Sequence, residues 1–515
     1  MNADCIIVGA GHNGLVCAAY LARSGRSVLV LESADQVGGA AVTREFAPGF
    51  KVSACAHVLH LMPADLISEL GLEKQGLRFA VRSMSTTALS LDRAPFNVDR
   101  SGMSSVSAHD ADAYPSYIAQ MRRFGAALWP MLNAPPPRLG TDALKDTLAL
   151  LRLGWQIRKL GRRDMRELLR IAGMNAYDLL EEQFESAALK GALGLDATLG
   201  TNFGPRTPGT VLSLLYRMAC EGGANQQLMQ VHGGMGAMCD ALAASARAGG
   251  AVIRTGATVT KILVQGDQAC GVILNTGEEI RSGAVISSAD PKTTFLELLG
   301  ARYLDTGFVR RIKHLRNRGL AAKLHLALDR MPEFTGVPSS QLAGRLVIAP
   351  SLDHIERAYN HSKYGEFSSA PVLEITVPTA GDSSLAAPGK HVLSAIVQYA
   401  PYELQGGWDR QRERFSELAI QSIERHAPGL SASVLARELL TPADIEREFK
   451  IAGGHWHHAE FAFDQFLMVR PVPGAAQYST PVSGLFLCGA GSHPGGGVSG
   501  IPGRNAARRF IEGEG

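Results

Sequence analysis

The sequence lacks the features that would mark a redox dithiol protein, a nucleic-acid-binding protein or a membrane-spanning protein. Its 7 cysteines form no C-x-x-C pair, which argues against a zinc ribbon and fits a reducing compartment. The 51 basic and 48 acidic residues give a net charge of only +3, which indicates no nucleic-acid partner. No apolar run reaches the roughly 18 residues that a transmembrane helix needs. A strand predicted from residue 4 leaves no length for a cleavable signal, so we expect a cytoplasmic protein.

Glycine, by contrast, is abundant, and its distribution predicts a ligand site. The chain has 56 glycines, which concentrate in three distant windows, residues 9–49, 222–256 and 484–503. Glycine is favoured where the backbone takes positive φ or approaches another group closely. Three such windows far apart in the sequence therefore predict one site assembled from separate segments of the chain.

The first window contains a dinucleotide-binding fingerprint. In DCIIVGAGHNGLVCAAYLARSGRSVLVLE, residues 4–32, Gly9, Gly11 and Gly14 supply G-x-G-x-x-G between an apolar strand and a helix. These glycines allow the tight turn, the approach of backbone amides to a pyrophosphate, and the packing of helix on strand. Glu32 ends the next strand, where a carboxylate accepts hydrogen bonds from ribose hydroxyls and repels the 2′-phosphate of NADP. The pattern predicts a Rossmann-like nucleotide site.

Two further glycine clusters favour FAD over NAD. Gly38 and Gly39 lie just beyond Glu32, where a longer, extended ligand would continue. The third window lies in GLFLCGAGSHPGGGVSGIPGRNAARRFIE, which predicts a strand, a glycine loop and a second helix N-terminus. Such an N-terminus suits the flavin N1–C2=O edge, where negative charge accumulates on reduction. The one other G-x-G-x-x-G of the sequence, residues 495–500, lies within this third window, which leaves no separate motif to hold NADPH.

The order of predicted elements indicates an α/β protein with two interleaved domains. Residues 108–222 have the apolar period of helices, as in ALKDTLALLRLGWQIRKL. Residues 318–401 return to strands such as LAAKLHLAL and PVLEITVP. We therefore predict a discontinuous Rossmann-like FAD-binding domain interleaved with an α+β substrate domain. The FAD-binding domain comprises residues 1–95, 223–300 and 452–515, and the substrate domain comprises residues 96–222 and 301–451.

The chain also resembles a known family, in motifs distributed over nearly its full length. The matching stretches are VGAGHNGLVCAAYLA, GGAAVTREFAPGFK, VHGGMGAMCDALAASARAGGAVIRTGATVTKI, VISSADPKTTFLELL, HHAEFAFDQF and LFLCGAGSHPGGGVSGIPGRNAA. They are similar to the phytoene-desaturase-like flavoproteins, which share the amine oxidase fold, also called GDI-like. Within that group the sequence resembles the pyridine nucleotide-disulfide oxidoreductase domain-containing protein 2 type and the desaturase-like carotenoid ketolases.

The resemblance implies non-covalent FAD and assigns residues to it. It places the pyrophosphate at the first glycine turn, the ribose at Glu32, and the ribitol and isoalloxazine at the third glycine window. Val259 would reach the adenine through its backbone. The implied cofactor-binding residues are Gly9, Gly11, His12, Asn13, Gly14, Glu32, Gly38, Gly39, Ala40, Val259, Gly489, Ala490, Gly497, Val498 and Ser499.

The stretch GGHWHHAEFAFDQF supplies the candidates for catalysis. The resemblance places it near the flavin, so His458 and Glu460 are candidates for substrate contact or proton handling. The alternative is that both only hydrogen-bond the loop. The spacing of His455, His457 and His458, with no partner cluster elsewhere, does not indicate a metal site.

Three residues near the third glycine window are expected to be structural. His493 is expected to fix the turn before Pro494, Arg470 to cap local structure, and Cys488 to pack at the end of a buried strand.

Residues 145–170 form a basic amphipathic segment. Lysines and arginines outnumber the acidic residues here and alternate with leucine, isoleucine and Trp155. One interpretation is a rim that rests on anionic lipid and admits an apolar substrate. The other is an ordinary solvated helix face.

Together these observations predict an FAD-dependent oxidoreductase that dehydrogenates, oxidises or isomerises a small, apolar, unsaturated molecule. A hydride would move between a substrate C–H and flavin N5. The electrons would pass to oxygen or a quinone, because no NADPH motif is present.

Two alternatives remain open. A carotenoid desaturase or ketolase fits the resemblance, but CEGGANQQLMQVHGG lacks the aromatic residues expected before the second glycine window. Rab GDP-dissociation inhibitors and escort proteins resemble these flavoproteins but bind prenyl groups without catalysis. The intact set of Gly9, Gly11, Gly14 and Glu32 argues against such a lipid-binding protein.

Overall fold

The computed structural model describes residues 3–98, 106–138, 140, 143–220 and 228–513. The strands of this part of the chain are β1 Ala3–Val8, β2 Val28–Leu31, β3 Thr43–Ala47, β4 Phe50–Ser53, β5 Phe79–Val81, β6 Thr86–Ala88, β7 Phe96–Asn97, β8 Gln230–Val231, β9 Val252–Arg254, β10 Val259–Gln265, β11 Gln268–Leu274, β12 Glu279–Ser287, β13 Ala321–Leu328, β14 Arg345–Ile348, β15 Val372–Thr376, β16 His391–Gln398, β17 Val434–Leu440 and β18 Leu485–Leu487. The α-helices are α1 His12–Arg23, α2 Ala64–Glu69, α3 Ala108–Leu132, α4 Leu144–Lys159, α5 Gly161–Ile171, α6 Ala176–Gln183, α7 Ala187–Thr198, α8 Val211–Cys220, α9 Met235–Ala248, α10 Thr306–Lys313, α11 Leu352–Ser362, α12 Trp408–Glu424, α13 Leu430–Ser433, α14 Pro442–Phe449 and α15 Ile501–Gly513.

One sheet has the Rossmann-like arrangement that the first glycine motif predicts. Its parallel strands follow the order β9-β2-β1-β12-β18, and β11 and β10 continue from β12 as antiparallel strands. The runs CIIV in β1 and VLVL in β2 are apolar without alternation, as is typical of parallel strands covered on both faces. Helices α1, α9 and α15 bury residues in the same core as β1 and β2. The ligand site of such a sheet lies beyond the carboxyl ends of its parallel strands.

A second sheet is mixed. Seven of the described strands form it, in the order β17-β13-β16-β15-β14-β6-β7. Its neighbours are antiparallel except β14 and β6, which are parallel. Every residue of β13 is buried, and these include the charged Lys323 and the polar His325. A buried lysine on a central strand needs polar neighbours, and these are described below with the site.

Helices α3 to α8 follow one another from Ala108 to Cys220, as the apolar period predicts. Apolar residues of these helices pack against β14, β15 and α11 in one core, to which α4 contributes only the partly buried Ile157. The stretch CEGGANQQLMQVHGG, residues 220–234, bears on a carotenoid substrate, and its residues 221–227 lie outside the described residues.

The predicted α/β class, with a Rossmann-like sheet and a second mixed sheet, is confirmed. The domain boundaries stay a prediction. Strand β6 pairs with β14 in the second sheet, although the predicted FAD-binding segment runs to residue 95. Within the described ranges, no helix combines the length and the hydropathy needed to cross a bilayer.

Candidate functional site

The turn after β1 uses its three glycines in different ways. Gly9 has a φ of +93°, which L side chains rarely adopt. A Cβ on Gly14 would lie 2.2 Å from the Gly9 carbonyl oxygen, so this glycine lets α1 pack against the turn. A Cβ on Gly11 would meet no atom within 4 Å, and Gly11 lines an open cleft. Gly11 therefore leaves room for a ligand to approach the backbone.

Helix α1 directs its amino end at the same cleft. Its N-cap residue Gly11 has no side chain to satisfy the first amides, which have no partner within the helix. His12 and Asn13 both line the cleft, and the buried Oδ1 of Asn13 has no hydrogen-bond partner among the described residues. Unpaired N–H groups at a helix N-terminus are the usual site for a phosphate.

Glu32 is fixed at the opposite wall of this turn. Its Oε2 accepts a hydrogen bond from the Ala10 amide at 2.6 Å, and its Oε1 accepts one from the Ala34 amide at 2.9 Å. The carboxylate is buried and lines the cleft. This position, after the second parallel strand, is the one from which an acidic residue accepts ribose hydroxyls.

The cleft has a volume of about 530 Å³ and brings together segments from both ends of the chain. Besides the turn and Glu32, it is lined by residues of α14 and by His458. The predicted cofactor residues that line it are Gly9, Gly11, His12, Asn13, Glu32, Gly38, Gly39, Ala40, Val259 and Ala490.

Three predicted cofactor residues line neither this cleft nor the cavity beside it. Gly14 packs α1, as described above, and a Cβ on Gly489 would lie 2.4 Å from the Ser288 carbonyl oxygen. Ser499 is buried, and its Oγ accepts a hydrogen bond from the Ile501 amide at 3.3 Å. These residues shape the turns from behind.

The first and third glycine windows meet in the folded chain. The Nε2 of His12 donates a hydrogen bond to the Gly497 carbonyl oxygen at 3.1 Å, across 485 positions of sequence. A Cβ on Gly503 would lie 2.1 Å from the Asn13 carbonyl oxygen, so α15 packs closely against α1. The free amides at the N-terminus of α1, the open position at Gly11 and the carboxylate of Glu32 fit a dinucleotide. Gly497 and Val498 continue the site beyond the pyrophosphate, as the length of FAD requires.

A second cavity, of about 160 Å³, adjoins the cleft. His12, Ala40 and Trp456 line both spaces. The apolar part of its wall comprises Ala40, Ala41, Val58, Leu61, Leu199, Ile396, Phe461 and Val498. The cavity therefore extends from the third glycine window to the second sheet.

At its second-sheet end this cavity meets a row of charged side chains. Arg345 donates from Nε to Glu374 Oε2 at 2.5 Å and from Nη2 to Asp196 Oδ1 at 2.6 Å. Glu374 Oε1 lies 2.9 Å from His57 Nε2, and His57 Nδ1 lies 2.5 Å from Lys323 Nζ. Arg217 forms an ion pair with Asp196 at 3.3 Å. The row is thus two guanidiniums, two carboxylates, one imidazole and one amine.

Burial lowers the pKa values of the two weak bases in this row, Lys323 and His57, and so favours their neutral forms. It lowers the pKa of Lys323 to about 7, against the opposing effects of Glu374 and Cys55. Burial and the neighbouring Lys323 lower the pKa of His57 to about 4. The acid Glu374 keeps its charge, because Arg345 and the His57 hydrogen bond outweigh burial and hold its pKa well below the ordinary value.

Replacing Lys323 by methionine is expected to change how stability depends on pH. In the unfolded chain a lysine stays protonated to roughly pH 10, whereas folded Lys323 loses its proton near pH 7. Between these values the unfolded chain binds more protons, so this lysine makes the free energy of unfolding rise with pH. Urea unfolding from pH 7 to roughly 10 should therefore give a smaller rise for Lys323→Met than for the wild type. Lys363→Met, at an exposed lysine directly after α11, should match the wild type, and equal slopes for all three proteins would contradict the assignment.

His458 faces the cofactor cleft with an unsatisfied ring. Its backbone has a φ of +61°, which is uncommon outside glycine, and its Nδ1 has no partner among the described residues. Burial lowers the pKa of His458 to about 4, so the imidazole is neutral at physiological pH. The ring is placed to hydrogen-bond a ligand in the cleft.

Glu460, the other candidate for catalysis, lies away from both cavities. It lines neither cavity and is 2% exposed. Its Oε2 accepts from the Asn202 amide at 2.7 Å and its Oε1 accepts from the Phe461 amide at 3.1 Å, while His455 Nε2 lies 3.2 Å from Oε2. The geometry favours the alternative, in which Glu460 only holds the loop, and gives it no access to a substrate.

Arg470 connects this loop to the third glycine window. Its guanidinium is fully buried, and burial lowers its pKa to about 10. It donates to carbonyl oxygens of both segments, at 2.6–3.2 Å, namely those of His457, Ala459, Glu460, Gln465 and Ala490. Arg470 is therefore a structural connector, in line with the expectation that it caps local structure.

The other two residues expected to be structural are also away from both cavities. His493 is fully buried, and its Nε2 lies 2.9 Å from the Met131 carbonyl oxygen. Cys488 belongs to the core around β1 and α1.

The charged row was missed by sequence reasoning. Its members lie on β13, β14, β15, α7, α8 and the segment after β4, with no recurring spacing. The available signal was a single charge within an apolar strand, Lys323 in LAAKLHLAL and Glu374 in PVLEITVP. A lone charge on a buried strand requires a partner from elsewhere in the fold.

Metal and disulfide chemistry have no visible site in the described part of the chain. No group of three or more histidine, cysteine, aspartate or glutamate side chains gathers there in a way that could hold a metal ion. No disulfide joins the cysteines of these residues.

Comparison with known proteins agrees with this geometry. A family model described as flavin containing amine oxidoreductase matches residues 14–509. Pyridine nucleotide-disulfide oxidoreductase domain-containing protein 2 of Mus musculus is 38% identical, over 98% of this chain and 92% of its own. A limonene dehydrogenase subunit of Castellaniella defragrans is 26% identical, over 99% of this chain and 94% of its own. The structure of cyclohexylamine oxidase from Brevibacterium oxydans IH-35A superposes with a TM-score of 0.61 at 14% identity, and 100% of each chain is covered.

The family match extends over nearly the whole chain, from the third glycine of the first motif, Gly14, to residue 509, and includes the whole third glycine window. It confirms the resemblance drawn from the sequence, and the flavin in the family's description identifies the cofactor as FAD. The chain therefore belongs to the flavin-containing amine oxidoreductase family and is an FAD-dependent oxidoreductase.

Proposed function

We propose that the protein moves a hydride between a C–H bond of a small, largely apolar, unsaturated molecule and flavin N5, in a dehydrogenation, oxidation or isomerisation. The observation that carries this proposal is the 160 Å³ cavity, whose wall is mostly aliphatic and aromatic and which adjoins the dinucleotide cleft. Apolar walls bind an apolar substrate and exclude water from the reacting carbon. The limonene dehydrogenase subunit of Castellaniella defragrans, a relative over nearly the full chain, is named for such a compound.

The residues of this chain would divide the work of binding. The turn at Gly11 and the N-terminus of α1 would hold the FAD pyrophosphate, Glu32 the ribose, and Val259 the adenine end. When bound, FAD supplies a two-electron acceptor that takes formal hydride from carbon.

Residues around the substrate cavity and the adjoining cleft would orient the substrate relative to the cofactor. His458 would hydrogen-bond the cofactor or the substrate as a neutral ring, because its pKa is lowered to about 4. Phe461 and Leu61 would fix the substrate's carbon skeleton against the third glycine window, since both line the cavity.

Oxygen or a quinone is the proposed final acceptor. The support is that both G-x-G-x-x-G stretches of the sequence, residues 9–14 and 495–500, are assigned to the FAD site, which leaves no third one for NADPH.

Anaerobic reduction of the bound flavin tests this proposal. The purified holoprotein would be mixed without oxygen with unsaturated hydrocarbons, alcohols, polyenes and primary amines, and loss of the flavin absorbance would be followed. Bleaching by a small unsaturated apolar compound, reversed by oxygen or by a soluble quinone, is expected. Bleaching by polar amines alone would contradict the substrate class.

The same experiment separates the alternatives. A carotenoid desaturase or ketolase would be bleached by long polyenes in preference to small compounds. A non-catalytic lipid-binding protein of the GDI-like type would be isolated colourless and would not take up added FAD.

We also propose that α4 contacts an anionic membrane surface. The helix has no buried residue, and Leu144, Leu148, Leu151 and Trp155 are 52–79% exposed. Their spacing of three and four positions places them in one stripe along the helix. Basic side chains of α4 and α5 surround the stripe, as expected of a helix that lies in the headgroup region of anionic lipid.

Replacing three residues of the apolar stripe is expected to weaken this contact. The triple variant Leu148→Ser, Leu151→Ser, Trp155→Ser should bind phosphatidylcholine–phosphatidylserine vesicles at least about tenfold more weakly, because burying one leucine contributes about 1.5–3 kcal/mol. Co-sedimentation measures it. Leu435→Ser, an exposed leucine on β17, is the control and should bind like the wild type. Equal binding of all three proteins, or none by the wild type, would contradict the proposal.

A further inference from the structure

The cavity beside the cofactor cleft has one end lined by hydrogen-bonding side chains, which a purely apolar molecule would leave without partners. Most of its wall is apolar, but its second-sheet end presents ionisable side chains, namely His57, His60, Asp196, Arg217 and Glu374. A binding site with this division fits a molecule with an apolar body and one polar end group.

The inner members of the charged row already have their partners. Both oxygens of Glu374 are engaged, one by Arg345 and one by His57. The side chains of Arg345 and Glu374 are 3% and 6% exposed; Glu374 forms part of the cavity wall, and Arg345 does not line the cavity. Their charges compensate each other and stabilise the second sheet.

Arg217 and His60 are different because they have unused hydrogen-bonding capacity. Among the described residues Arg217 has one ion pair, at 3.3 Å to Asp196, and Asp196 is held more closely by Arg345 at 2.6 Å. A guanidinium has five N–H donors, so several of those of Arg217 are available to the cavity. Both ring nitrogens of His60 are shielded from solvent without a partner in the described part of the chain.

The two side chains line the same cavity. Burial, with the Arg217 charge as the next cause, lowers the pKa of His60 to about 3, so the ring is neutral and carries one N–H. Leaving a buried polar group unpaired costs about 1–3 kcal/mol, a cost that a hydrogen-bonding ligand would remove.

Building on the proposed function, we propose that the substrate carries a carboxylate end group that Arg217 and His60 bind, with its apolar body directed towards the cofactor cleft. A guanidinium matches a carboxylate in geometry and charge. The carboxylates of Asp196 and Glu374 also face this end, where Arg345 contacts both of them and Arg217 contacts Asp196, so that two guanidiniums balance two carboxylates. An ammonium end group would meet Arg217, and a hydrocarbon would leave both donors unpaired.

Four compounds with one carbon skeleton test this inference. Perillic acid, perillyl alcohol, perillylamine and limonene differ in the end group alone, and their binding to the FAD-loaded protein would be measured by calorimetry. The acid is expected to bind at least about tenfold more tightly than limonene or the amine. In Arg217→Met the Kd of the acid should rise roughly 10–100-fold, because a hydrogen-bonded charge is lost. The Kd of limonene should change by less than about threefold.

Two further variants distinguish recognition from a structural effect. Arg217→Lys keeps the charge but not the planar fork, so it should retain part of the preference for the acid. Arg302→Met, at an exposed arginine away from the cavity, should behave as the wild type. Asp196 keeps its ion pair with Arg345 in the Arg217 variants.

The proposal is overturned if limonene or the amine binds as tightly as the acid, if the acid does not bind, or if its preference survives in Arg217→Met. Calorimetry reports binding without any electron transfer, so it is independent of the flavin-bleaching experiment. Preferential binding of the acid without bleaching by any apolar compound would leave the anchor in place and contradict the proposed reaction.

Discussion

Gly11→Ala is expected to give a folded protein that binds FAD on the order of 100-fold more weakly. The backbone at Gly11 has a φ of −65°, which alanine adopts freely, and its Cβ would meet no protein atom within 4 Å. The new methyl group would instead occupy the position from which a pyrophosphate approaches the amides of α1. Losing two hydrogen bonds to a charged ligand costs about 3–6 kcal/mol, and each tenfold in affinity is about 1.4 kcal/mol.

Calorimetric titration of the apoprotein with FAD measures this loss, and urea unfolding verifies the fold. Gly173→Ala is the matched control, because its Cβ would also meet nothing within 4 Å but Gly173 does not line the cleft. Gly14→Ala should differ from both by failing to fold, since its Cβ would lie 2.2 Å from a backbone oxygen. Wild-type affinity in Gly11→Ala would mean that the diphosphate does not lie at this turn.

Arg470→Met is expected to lower the free energy of unfolding by about 3–5 kcal/mol and to weaken FAD binding. The buried guanidinium donates to five carbonyl oxygens, and methionine would leave them without a donor. Each buried group left unpaired costs about 1–3 kcal/mol, and partial relaxation reduces the total. Because Ala490 lines the cofactor cleft, the loss reaches the FAD site through its backbone.

Urea unfolding and FAD titration of the same samples test this expectation. Arg316→Met is the matched control, since Arg316 pairs with Asp464 next to the same loop but both side chains are more than half exposed. Such a surface pair contributes about 1 kcal/mol or less. Equal losses for Arg470→Met and Arg316→Met would show that the buried arginine does not hold the two segments together.

The cofactor side of the site was predictable because its residues obey local rules. A positive φ at Gly9, helix packing at Gly14 and an acid at the end of β2 are each determined by the turn in which they occur. The spacing of these residues in the sequence was therefore enough to predict their positions in the site. The contact between His12 and Gly497 was predictable because both glycine turns were assigned to the same ligand.

The substrate side was not predictable by these means. Arg217, Glu374 and Lys323 come together only when α8, β15 and β13 pack, and no sequence spacing records that packing. Glu460 was a candidate because the family resemblance places its stretch near the flavin, yet the loop directs the side chains of Glu460 and His458 differently. His458 lies in the cleft, whereas Glu460 accepts hydrogen bonds from backbone amides behind it.

The number of FAD molecules bound per chain is the most direct measurement of whether the first and third glycine windows form one flavin site. Flavin released by denaturing the purified protein would be quantified against the protein concentration, after saturation with FAD and removal of the excess. We predict one FAD per chain, lost in Gly11→Ala and kept in Gly173→Ala. A protein that stays colourless in excess FAD, or that keeps its flavin in Gly11→Ala, would contradict the account.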